Sequence, residues 1–166
     1  MTALYLASVT AHVLAAMLWL GGMFFLGVVG APVLRAVEPP ALRKHLFREL
    51  GLRFRSVGWW AIGTLVTTGV INLHFRGLLH WDGVLGAATF WQTPVGRALG
   101  VKLVGVVAML TASAIHDFVL GPRAASAEPG SLRSVTLRRN AAVLARANAL
   151  LGVVIVLAAV RLARGG

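Results

Sequence analysis

The chain has 166 residues, of which 58% are hydrophobic, and it carries sixteen Lys and Arg against five Asp and Glu, a net charge of +11. Soluble domains are about 45–50% apolar, so this composition points to a membrane protein, and the positive charge is gathered in loops between apolar runs rather than spread over a nucleic-acid-binding face. With no cysteine, disulfides, Cys-ligated zinc and thiol redox chemistry are excluded.

The first apolar run extends from about Ala3 to Gly30 without a Lys, Arg, Asp or Glu, and Pro32 closes it. A bilayer is crossed by roughly 20 apolar residues, so the run reads as a retained spanning helix and is too long for a signal peptide. His12 stands well inside it. A histidine at that depth is costly unless a partner accepts it. At helical spacing Tyr5, Ser8, His12, Trp19 and Met23 share one face, and Gly21-Gly22 lets a neighbouring helix or a flat ligand approach the backbone.

A basic stretch follows. Pro39-Pro40 opens a short helix with Leu42, Leu46, Phe47 and Leu50 on one face and Arg43, Lys44, Arg48 and Glu49 on another, a pattern suited to the headgroup layer. The second span is expected from about 57 to 78, with Trp59-Trp60 as an aromatic belt and Thr67, Thr68, Asn72 and His74 making its second half polar. The loop after it holds His80, Trp81, Asp82 and Trp91.

The third span is expected over about 95–120. Gly96 and Gly100 form a small-residue pair for helix packing, and Lys102, Met109, Ser113 and His116 share one face. The fourth span covers about 137–162. The expected fold is all-α, an integral membrane antiparallel four-helix bundle forming a single transmembrane domain over 1–166, with one short amphipathic cytoplasmic helix. The sequence shows no internal repeat.

Basic residues set the orientation. Arg35, Arg43, Lys44, Arg48, Arg53 and Arg55 in the first loop, with Arg123, Arg133, Arg138 and Arg139 in the third, outweigh Arg76, Arg97, Arg161 and Arg164 on the other side. The positive-inside rule then places both termini outside a bacterial-type inner membrane. In that frame His12, His74 and Lys102 fall ~13, ~6 and ~10 Å below the outer surface at 1.5 Å per residue.

Three polar groups at one level suggest a cofactor site. Imidazole is a common axial ligand of haem iron. His12 and His74 are candidate axial ligands of a b haem, with Trp19 as a wall and Lys102, Arg76 and Arg97 positioned for its propionates. The same histidines, with Met23 as a further station beside His12 and His80 as an entry ligand, suit copper. A haem carrier would take a quinone or periplasmic redox partner and would be an oxidoreductase if it turns over a substrate; a copper permease would take a periplasmic copper partner. Carboxylate dyads, phosphate loops and Ser-His-Asp sets are absent, and nucleic acid is not an expected partner. Oligomerisation stays open.

Three motifs carry a resemblance. His12 with Trp19-Leu20-Gly21-Gly22, then Thr68-Gly69-Val70-Ile71-Asn72-Leu73, then Gly96-Arg97-Ala98-Leu99-Gly100-Val101-Lys102-Leu103 resemble the CopD-type copper-resistance membrane proteins over most of the chain. Full-length members have more helices, so this chain resembles a compact four-helix form, and the resemblance implies copper import across the inner membrane. A first-helix His followed by Trp, with a Lys opening the third helix, is also similar to the HemJ-type protoporphyrinogen oxidases, small membrane proteins associated with b haem.

Overall fold

A computed structural model describes residues 2–79, 84–128 and 130–165. The described residues are helical, with short 3-10 turns and no strand, and four helices are long and apolar enough to cross a membrane: α1 (Ala3–Arg35), α2 (Pro40–Phe75), α3 (Pro94–Ser126) and α4 (Leu132–Ala163). Much of their surface is large and apolar, with Val28 70% and Val104 71% exposed, as lipid-facing side chains are. The chain divides into two compact units, Met1–Gly86 and Ala87–Gly166.

In the first unit α1 starts at Thr2, whose hydroxyl accepts from the Tyr5 N–H, and runs on through Gly30 to Arg35. Pro32 does not end it. A proline ring crowds the carbonyl four residues back and offers no N–H. The helix answers by widening into a π turn over Leu26–Gly30, closed by the Ala31 N–H on the Leu26 carbonyl.

Helix α2 also departs from expectation. The basic stretch is not a separate interfacial helix but the first part of one continuous 36-residue helix, opened by Pro40. Between the two expected pieces stands only Gly51, which costs a helix about 1 kcal/mol and cannot break it. At 1.5 Å per residue α2 spans ~54 Å, well beyond the ~30 Å hydrocarbon core, so its basic start projects past the bilayer. Its end is sharp. Gly77 takes φ +70°, with the Gly77 N–H on the His74 carbonyl and the Leu78 N–H on the Leu73 carbonyl, the paired bonds of a Schellman stop.

The α1–α2 contact is antiparallel and built on missing side chains. Trp19 is buried with its indole against Gly58, a Cβ at Gly22 would fall 2.5 Å from the Phe54 ring, and Tyr5 meets Phe75 at 5.5 Å between ring centroids.

The second unit follows the same plan. α3 carries a π turn, Ile115–Leu120, directly ahead of Gly121-Pro122, closed by the Gly121 N–H on the His116 carbonyl. α4 starts at Ser131, whose hydroxyl accepts from the Ser134 N–H. A Cβ at Gly105 would fall 2.8 Å from Ile155, which marks a close α3–α4 approach. Gly96 and Gly100 serve a purpose other than the expected helix pairing. They face the turn before α3, where Gly96 lies against the Phe90 backbone and Gly100 against the Trp91 ring. Thr93 locks that turn by accepting from the Gly96 N–H and donating to the Phe90 carbonyl at 2.7 Å.

The shared plan runs to the residue. Pro32 and Pro122 stand ninety positions apart, and so do the buried residues Ser8, Ala15 and Trp19 and the buried residues Ala98, Gly105 and Met109. On the partner helices Gly58, Ile62 and Thr68 correspond in the same way to Asn148, Gly152 and Ala158. The helix hairpin is built twice with unrelated side chains, which is why no repeat is visible in the sequence.

Candidate functional site

The first unit brings one intramembrane histidine to a defined partner. His12 is half-buried on α1, and its Nδ1 lies 2.8 Å from the Thr68 hydroxyl on α2. The proton positions follow from counting donors. Thr68 has one hydroxyl hydrogen, and at 2.6 Å it goes to the Thr64 carbonyl, the bond a helical Thr commonly makes one turn back. Thr68 Oγ1 is left to accept, so His12 donates from Nδ1. A neutral imidazole held this way keeps its lone pair on Nε2.

The surroundings reinforce that pose. Ser8, one turn from His12, is buried and donates to the Thr68 carbonyl at 3.5 Å. A Cβ at Gly69 would lie 3.6 Å from His12 Cε1, so the glycine leaves the ring its place beside the α2 backbone. Asn72, one turn beyond Thr68, has a buried Oδ1 with no hydrogen-bond partner among the described residues. Thr64, Thr68 and Asn72 recur every fourth residue along α2; of these Thr68 meets Ser8 and His12, whereas Thr64 is exposed and donates to the Trp60 carbonyl.

Other expected site residues fall elsewhere. Trp19 is buried against Gly58 and is part of the helix contact. In the α1–α2 register Tyr5 meets Phe75 and His12 meets Thr68, so His74 lies six residues, or ~9 Å, along α2 from the partner of His12. Its ring is exposed and stacks edgewise on Phe75 at 6.0 Å. Arg76 is exposed at the α2 C-cap. Arg97 and Lys102 are on α3 of the second unit, exposed and half-buried respectively. His80 lies outside the described residues.

Between α1 and α2 the space left by Gly22 is taken by Phe54, that of Gly58 by Trp19 and that of Gly69 by the His12 ring itself. The gaps at these three glycines are thus filled by neighbouring side chains, while nothing lies within 4 Å of a Cβ at Gly21. Nor do the described residues gather three or more His, Cys, Asp or Glu in a metal cage.

Four long apolar helices with an oriented histidine inside the first define a multi-pass helical membrane protein. The profile of the copper resistance protein D family matches residues 48–162, and the chain belongs to that family. It is thus a membrane protein of the copper-resistance type. The match begins within the basic part of α2, so Thr68 lies inside it and His12 before it. A protein of Aquifex aeolicus (strain VF5), described only as an uncharacterized protein, is 37% identical over 75 residues, which is 42% of this chain and 51% of the relative. The chain therefore spans about half the length of that relative. No solved structure matches.

Proposed function

We propose that the protein carries copper ions across the membrane and that His12 is a station on their path. The observation behind this reading is the 2.8 Å contact from His12 Nδ1 to Thr68, which directs the lone pair of the ring to Nε2. A histidine that ligates metal through one nitrogen characteristically donates from the other, and that bond fixes both tautomer and ring orientation. Imidazole suits copper. A conducted ion needs sites weak enough to release it, and one oriented imidazole is such a site, whereas a full cage would retain the metal. Ser8 and Asn72 add oxygen atoms within a turn of His12 and Thr68, and the family match supports copper over haem as the species handled.

The proposed orientation has both termini outside the inner membrane, because Arg43, Lys44, Arg48, Arg53 and Arg55 begin α2 and Arg133, Arg138 and Arg139 begin α4. His12 then lies in the outer half of the bilayer, where an ion entering from the periplasm would meet it. A reporter fused to the C-terminus should be active only when exported. Cytoplasmic activity would reverse the direction of the path.

The transport test uses proteoliposomes and radioactive Cu(I). Wild-type protein should take up copper, and folded His12→Ala protein should fall to the level of empty vesicles. Uptake by His12→Ala equal to wild type removes His12 from the path. A Soret band in the purified wild-type protein that His12→Ala abolishes would replace the copper reading with the haem one.

A further inference from the structure

The first part of α2 carries more positive charge than nearby acids balance. Glu38 pairs with Arg43 at 3.3 Å and Glu49 with Arg48 at 3.4 Å. Arg53 and Arg55 have no acidic partner among the described residues. Arg53 is exposed and Arg55 half-buried.

Phe54, the residue between them, fixes where they stand. A Cβ at Gly22 of α1 would meet the Phe54 ring, so Phe54 points at α1. Successive residues of a helix are 100° apart, which sets Arg53 and Arg55 on either side of that contact. At this level α1 is apolar, and within two turns of Gly22 it exposes Phe25 (58%) and Val28 (70%). No Lys, Arg, Asp or Glu occurs from 3 to 34, a helix length of ~48 Å against a hydrocarbon core of ~30 Å. The last turns of α1 therefore reach the headgroup layer, and the two unbalanced cations flank it there. Trp60 marks the depth. It is 78% exposed and two turns beyond Arg53 on the same face, ~10 Å deeper. Exposed Trp sits where headgroups give way to acyl chains, so the Arg53 guanidinium falls at the level of the phosphates.

We infer that Arg53 and Arg55 bind the phosphate groups of anionic phospholipids, with Trp60 against the glycerol region and Phe25 and Val28 against the acyl chains. A guanidinium matches a phosphate with two parallel N–H bonds. An anionic lipid leaves that charge uncontested, whereas a zwitterionic lipid brings its own ammonium. A second copy of the chain seated symmetrically on this face would bring its own Arg53 and Arg55 against the same cations, so charge favours lipid as the occupant. The anchor also sets the depth of the hairpin. Thr68 is fifteen residues along α2 from Arg53, so the His12 contact is held ~22 Å inward of the phosphates.

The test titrates the detergent-purified full chain with phosphatidylglycerol or phosphatidylcholine and counts bound lipid by native mass spectrometry. Wild-type protein should prefer phosphatidylglycerol by more than about tenfold, and Arg53→Gln and Arg55→Gln should each weaken it about fivefold without changing phosphatidylcholine binding. Lys44 is ~13 Å farther out than Arg53, beyond the Debye length of about 8 Å at physiological salt, so Lys44→Gln should cost less than about twofold. A double Arg variant that folds, by its helical circular dichroism, and binds phosphatidylglycerol as wild type does overturns the inference. An equal loss in Lys44→Gln overturns it too, because binding would then follow total charge and not this site. The chain has no cysteine, so a nitroxide attached to Val28→Cys reports on this face alone. In phosphatidylglycerol vesicles it should be relaxed more by oxygen than by a water-soluble nickel chelate, and the reverse order sinks the lipid contact. Broadening by a second nitroxide would put another copy of the chain on this face in place of lipid.

Discussion

The two hairpins share one backbone plan and differ in what they place on it. At the point of the first helix where one carries His12, the other carries Lys102, ninety residues later. Opposite His12 stands Thr68, a hydroxyl acceptor; its counterpart is Ala158, a methyl group. Opposite Trp19 stands Gly58, whose missing side chain admits the indole, whereas the counterpart of Gly58 is Asn148, a polar residue hydrogen-bonded to Ser113. Backbone geometry is therefore indifferent to chemistry here. A helix pair closed by small residues tolerates a polar contact at more than one level, and each unit uses a different one.

Moving chemistry between equivalent positions should have the largest effect. His12→Lys, which copies the second unit into the first, should abolish the His12-dependent metal ion and reduce copper uptake to background. Lys102→Met should leave the number of bound ions unchanged, because an ammonium is a poor metal ligand. A Lys102→Met protein that loses an ion would mean that the two positions serve one purpose.

Thr68 comes next. Thr68→Val keeps the shape and removes the acceptor, so His12 is no longer held in one tautomer. Cu(I) affinity at the His12 site should fall about 10–100-fold, the usual cost of losing the partner of a ligating histidine. Affinity within twofold of wild type would show that the Thr68 contact is structural only. Ala158→Val, the matching change in the second unit, should leave metal binding alone.

Two glycine substitutions give smaller effects on stability in detergent. Gly96→Ala drives a methyl group into the Phe90 backbone, which cannot rotate away, and should cost about 1–3 kcal/mol as a lowered midpoint of thermal unfolding. At Gly22 a Cβ meets the Phe54 ring, which can turn, so Gly22→Ala should cost less than Gly96→Ala. A reversed order would show that the turn over Phe90–Gln92 gives way more readily than the α1–α2 contact.

Gly69→Ala should have the least effect on folding. A Cβ there lies at ordinary van der Waals distance from His12 Cε1, so stability should change by no more than about 0.5 kcal/mol. Metal affinity is the sensitive measurement for that variant, since the methyl group touches the ring that carries the ligand. Unfolding shifted by several degrees would mean that α1 and α2 pack more closely around His12 than the distance indicates.

Much of the architecture is legible from the chain alone. Length and apolarity define the four spans, because lipid admits only helices whose backbone groups are satisfied internally. Arg43, Lys44 and Arg48 suggest a separate amphipathic helix because their periodicity differs from that of the span, and periodicity is blind to a helix that passes from water into lipid without a break. His12 stands out in the sequence by the cost of its depth. Thr68 was not, although Thr64, Thr68 and Asn72 fall every fourth residue, because a helical Thr normally does no more than bond its own backbone.

Only tertiary structure decides which helix face meets which. Sequence gives the level of His12 along α1, whereas the α1–α2 register, set by Trp19 on Gly58 and Tyr5 on Phe75, selects Thr68 as its partner and leaves His74 farther along. The repeated hairpin is likewise invisible in the chain, since packing requires only that small and large residues alternate at matching positions and accepts many side chains there. The lone carbonyl of Asn148 is a property of neighbours and not of sequence. Its cost, and so its meaning, exists only once α3 and α4 have excluded water around it.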